Sequence, residues 1–112
     1  MSMTLNEYQA AAQRTSTYQE SLDKLVNGML GLFGEGGECA DVLKKARYQG
    51  HIFDKEHMAK ELGDVMWYVA ETAAGLGMTL EEIAQRNIDK LKARYPDGFD
   101  PERSKNRAAG DV

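Results

Sequence analysis

One cysteine, two prolines and no long apolar run set the first limits on this 112-residue chain. A lone Cys39 forms no internal disulfide, and no basic N-terminal segment leads into an apolar stretch of signal-peptide type, so a cytoplasmic location is expected. No uninterrupted apolar run nears the roughly 20 residues that span a bilayer, so no membrane partner is expected. An excess of positive charge is also missing. The formal net charge is -4, which argues against a nucleic-acid polymer as partner, because nonspecific binding of one relies on dense Lys and Arg patches. Strand-like alternation, internal repeats and low-complexity tracts are absent too. What remains is a chain of one small domain with 42% hydrophobic residues. It is enough for a globular fold, yet too short to cover its apolar faces fully, and self-association is expected.

Helix signals fill most of the length. Thr4-Leu-Asn-Glu7 reads as a capping box ahead of an Ala-rich run, and Thr17-Tyr-Gln-Glu20 as a second, opening a long segment towards Lys45. Gly28, Gly31, Gly34, Gly36 and Gly37 interrupt that segment, each costing roughly 1 kcal/mol relative to Ala, so it is expected to be kinked or closely packed there. Asp54 is the expected N-cap of the most periodic helix, ending near Gly75 to Gly77. Its stripe of Met58, Leu62, Val65, Val69 and Leu76 is expected to face the core, with Glu61, Asp64, Tyr68 and Glu71 on the neighbouring stripe. A third face of Ala59, Gly63, Ala70, Ala74 and Gly77 offers close approach to another helix. Thr79-Leu-Glu-Glu82 opens a last helix that stops before Pro96. The reading is all-α: a four-helix domain over residues 1–96 and a polar C-terminal arm over 97–112, the latter read as a loop.

The chemistry is concentrated in two acidic pairs of equal spacing, Glu35-x-x-Glu38 and Glu61-x-x-Asp64. On a helix that spacing puts both carboxylates on one face, where like charges repel unless a cation lies between them. Four carboxylates with no Cys or His interleaved suit a hard ion, magnesium or manganese. A metal-bound polyphosphate needs cations as well. Asn87, Lys90 and Arg94 share a face of the last helix, and Lys45 lies on the side of Glu38, seven residues away. Tyr68, one turn after Asp64, is placed to stack on a base, to donate its hydroxyl or, equally, to pack in the core. Trp67 is assigned to the core or an interface, Cys39 to a buried position, and His51 and His57 to a surface position or a cap rather than to ligation. A solvated acidic surface is the competing account of the same residues, and it would make the chain a noncatalytic helical dimerisation module. A di-iron carboxylate bundle is disfavoured, because it calls for Glu-x-x-His pairs that neither acidic pair supplies.

Three segments in order, Gly31-Leu-Phe-Gly-Glu35-Gly-Gly-Glu38-Cys-Ala-Asp-Val-Leu-Lys-Lys45, Lys60-Glu-Leu-Gly-Asp64-Val-Met-Trp-Tyr68 and Asn87-Ile-Asp-Lys90-Leu-Lys-Ala-Arg94-Tyr-Pro96, resemble the MazG-type nucleotide pyrophosphohydrolases. The likeness extends through Tyr8-Gln9 and through Gly98-Phe99 and Ser104-x-Asn-Arg107. It implies the all-α NTP pyrophosphatase fold, assembled as a tight homodimer or homotetramer, and hydrolysis of a nucleoside triphosphate, often a deoxynucleotide, to the monophosphate and pyrophosphate. By the same resemblance Glu35, Glu38, Glu61 and Asp64 bind magnesium and serve catalysis, while Asn87, Lys90 and Arg94 match positions near phosphate or sugar and Tyr68 one near the nucleotide; with Lys45, placed by its spacing from Glu38, these are the candidate substrate-binding residues. The chain departs from many relatives in one place: Gly34 stands where they carry a further acid directly before the first pair.

Overall fold

The computed structural model describes residues 2–112. Five helices follow in order: α1 Leu5–Gln13, α2 Ser21–Tyr48, α3 Lys55–Gly75, α4 Leu80–Arg94 and α5 Pro101–Lys105. The chain divides into two compact units, residues 1–80 and 81–112. No strand occurs among the described residues, and no helix there is long and apolar enough to cross a membrane.

In the first unit the helix ends follow from local chemistry. Thr4 caps α1 in a reciprocal box with Glu7, satisfying two backbone donors at once. Asp54 caps α3 through the backbone N–H groups of Glu56 and His57. At the other end Gly77 takes φ +71°, while Gly77 N donates to Ala74 O (2.9 Å) and Met78 N to Ala73 O (2.9 Å). That pair of bonds is the Schellman closure, which a glycine accepts without strain. The expected second box does not form. α2 starts at Ser21 with Glu20 at its N-cap and no side-chain cap. The connection before it is committed to α3 instead: Thr15 accepts from the Trp67 indole and Ser16 donates to Glu71.

α2 is one unbroken helix of 28 residues that pairs antiparallel with α3. Its glycines divide into two sets. A Cβ on Gly28 would run into Thr72, one on Gly31 into the Tyr68 ring, and one on Gly75 of α3 into Leu25. These three notches let the helices approach closely and set their register. Gly34, Gly36 and Gly37 meet nothing, so close packing within the chain does not account for them. On the expected small-residue face of α3, Ala70 is buried but Gly63 lies open.

The expected core stripe of α3 is only partly covered, with Met58, Val65 and Val69 half-buried. Leu62 is 54% and Leu76 55% exposed, whereas Ala70, Glu71, Ala73 and Gly75 are buried. On α2, Leu22, Val26, Met29, Leu30 and Phe33 form a second exposed apolar stripe, one to two turns apart on a common face. The polar stripe of α3 takes the α2 interface because the glycine notches admit Tyr68 and Thr72 there. α1 lies on α3 through polar anchors. Gln9 donates to Ala70 O and Met78 O and accepts from Leu80 N, and the Trp67 indole donates to Ala12 O at 3.1 Å.

α4 opens at Leu80, the last residue of the first unit, and runs into the second unit to end at Arg94, ahead of Pro96. The arm is not all loop. Asp100 caps α5 by accepting from Glu102 N at 2.9 Å, and Pro101 occupies the first helical position, where its missing N–H and fixed φ are no handicap. Arg94 holds the chain end with two bonds to Asp111, of 2.9 and 2.7 Å.

Candidate metal centre

Glu35 and Glu38 stand one turn apart on α2, and Glu61 faces them from α3. Each offers an oxygen within 4.8 Å of the others. Glu35 Oε2 and Glu61 Oε2 are both buried with no hydrogen-bond partner. A buried acceptor left unpaired carries its full desolvation penalty. The crowded carboxyl groups shift one another's titration. Burial, then hydrogen bonding to Glu61 and the charges of Glu38 and Asp64, push Glu35 up to about 7. Glu38 is also raised, first by its hydrogen bond to Glu61 and then by that group's charge. Glu61 is lowered by its interactions with Glu38, then Glu35, then His57.

An all-oxygen donor set of this kind suits a hard divalent cation. Its charge would offset the repulsion among the carboxylates, and its coordination sphere would take up the two unpaired oxygens. The residues present therefore fit a magnesium or manganese ion.

Asp64 lies outside the three-carboxylate group. It lines a pocket of about 320 Å³ with Glu35, Trp67 and Tyr68, and its charge raises Glu35 and reaches Tyr8 on α1. Tyr68 is held in the Gly31 notch and meets the Trp67 ring edge-on at 5.0 Å. On the other side of the acids a cleft of about 480 Å³ is lined by Gly34, Gly37, Glu38, Lys45, His51 and His57, among others. Lys45 is paired there to Asp41 at 2.8 Å. Cys39 is half-buried beside the acids, and burial followed by their charge pushes its thiol up.

Asn87, Lys90 and Arg94 all lie on α4 in the second unit. Lys90 and Arg94 line a pocket of about 340 Å³ with Arg103, Asn106 and Arg107. Arg94 is already engaged there by Asp111.

Two partners escaped the reading of the sequence. His57 approaches Glu61 with Nε2 3.2 Å from Oε1, and Asp41 holds Lys45. Both are pairs four residues apart on one helix, a signal that was present in the sequence.

The sequence profile described as "MazG nucleotide pyrophosphohydrolase domain" matches residues 20–99, from the start of α2 past the end of α4. The chain belongs to the MazG family. A relative from Mycobacterium phage L5, known as "Gene 37 protein", is 38% identical over 105 residues, covering 86% of this chain and 92% of that protein. No solved structure matches. The MazG match takes in both acidic pairs and the Asn87, Lys90 and Arg94 face, and leaves α1 and α5 outside.

Proposed function

We propose that this MazG protein hydrolyses a nucleoside triphosphate, a noncanonical or surplus deoxynucleotide, to the monophosphate and pyrophosphate, with magnesium or manganese, in cytoplasmic housecleaning of the nucleotide pool. One observation carries the reading: three carboxylates from two helices converge with two of their oxygens buried and unpartnered. Glu35, Glu38 and Glu61 would hold the cation, with Asp64 joining from the Tyr68 side. A divalent ion so held lowers the pKa of bound water and neutralises charge on phosphate oxygens.

The chain's own residues supply the rest. One carboxylate of the cluster accepts the proton of the attacking water. Tyr68, fixed by Gly31 and Trp67, takes a nucleoside face in the 320 Å³ pocket through its ring. Lys45 offers its ammonium to phosphate from the 480 Å³ cleft, and Asn87, Lys90 and Arg94 are assigned to phosphate or sugar. A second copy of the chain covers the exposed stripes of α2 and α3, in a homodimer or a homotetramer.

Pyrophosphate release from a panel of nucleoside triphosphates with magnesium tests this. Wild type should turn over at least one deoxynucleotide, and Glu38→Ala should lose about a hundredfold or more in rate, the scale of a lost metal contribution. No turnover by wild type, or equal turnover by the variant, would sink it.

A further inference from the structure

The cap of α3 fixes one more side chain against the acidic cluster. Asp54 Oδ1 accepts from Glu56 N (3.0 Å) and His57 N (3.2 Å), which holds the backbone at residue 57 in the first turn. Glu61 follows one turn later on the same face, and the His57 ring meets its Oε1 at 3.2 Å through Nε2. His57 is 53% and Glu61 18% exposed in their side chains. An ion pair or hydrogen bond with one partner that open to water adds little to folding. Its effect is on geometry. A carboxylate with one oxygen held by a ring N–H no longer rotates freely, and the oxygen left over, Oε2, is the buried one without a partner.

The other side chains converging on Glu61 are the carboxylates of Glu35 and Glu38, which as metal ligands carry no proton to donate. His57 is thus the donor to Glu61, among the described residues, that survives metal binding. Nor does the ring compete as a ligand, since the group of converging oxygens comprises Glu35, Glu38 and Glu61.

We infer that His57 is a positioning residue: by donating from Nε2 to Glu61 Oε1 it presents Glu61 Oε2 to the cation. The role rests on the metal reading proposed above. Outer partners of this kind orient the ligand they touch, and losing one typically weakens metal affinity by about 10- to 100-fold.

Manganese titration by calorimetry, with thermal unfolding of the metal-free protein alongside, tests it on wild type, His57→Ala and His57→Gln. The Ala variant should unfold like wild type but bind manganese about 10- to 100-fold more weakly. The Gln variant, whose side-chain amide reaches the same place as Nε2, should recover most of that loss. Equal affinity in wild type and His57→Ala would overturn the inference while leaving the metal reading intact. So would a Gln variant as weak as Ala with both folded. A wild type that binds no manganese overturns the metal reading, and the positioning role with it.

Discussion

Two clusters of carboxylate chemistry share the α2–α3 interface and differ in what surrounds them. Ten residues, or roughly 15 Å of helix, separate Glu61 from Glu71 on one stripe of α3. Glu71 is fully buried and fully partnered: Gln13, Ser16 and Asn27 donate to it, and the Lys24 ammonium lies 3.5 Å away. Burial pushes its carboxyl up, but these bonds and the Lys24 charge win and hold it below its usual value. At the other end Glu35, Glu38 and Glu61 have mainly one another. The same residue type therefore ties three segments of the fold together in one place and leaves an unmet need for positive charge in the other. The difference lies in the donors, which come from α1, its following turn and α2 for Glu71 and are missing around Glu35.

The sharpest way to break that contrast is to remove the satisfied carboxylate. Glu71→Ala strands Lys24 and the amides of Gln13 and Asn27 in a buried site, and should cost about 3–5 kcal/mol of stability in urea unfolding. A loss under about 1 kcal/mol would mean that the network is only decoration. Next in size are the glycines beneath the two clusters. Gly31→Ala drives a methyl into the Tyr68 ring and should destabilise by about 1–3 kcal/mol. Gly36→Ala enters open space and should stabilise by about 0.5–1 kcal/mol through helix propensity, both read by the same unfolding assay.

The smallest effect is the pH response of the unsatisfied cluster. Glu35 titrates at about 7 in the fold against an ordinary 4.5. A raised carboxyl adds its stability below the unfolded value and loses it as pH rises through the folded one. The metal-free protein should therefore lose a few degrees of melting temperature between pH 4.5 and about 7, a modest shift because water screens the cluster. Glu35→Gln should flatten that decline, and added magnesium should reverse it in wild type but not in the variant. A melting temperature that rises over this window would contradict the arrangement.

Much of this was legible from residue spacing. The Thr4 box, the Asp54 cap and the Gly77 closure are local, decided within one turn of chain. So is the pairing of Glu35 with Glu38 on one face. The Thr17 box failed because Ser16 and Thr15 are drawn to α3, a contact across more than 50 residues. The apolar stripe of α3 was assigned to the core because periodicity identifies a hydrophobic face without identifying what covers it. The helix α5 was missed because Pro101 reads equally as a loop residue and as the first residue of a helix.

The sequence by itself determined the four long helices, the caps at Thr4, Asp54 and Gly77, the acidic pairs and the MazG kinship, since all of these rest on residues near one another in the chain. Tertiary structure alone decided which faces meet. The notches at Gly28, Gly31 and Gly75 admit Thr72, Tyr68 and Leu25, and that register sets Glu61 against Glu35 and Glu38 while sending Glu71 to its donors. Spacing along one helix cannot specify this, because the choice depends on how two surfaces fit across the gap between them.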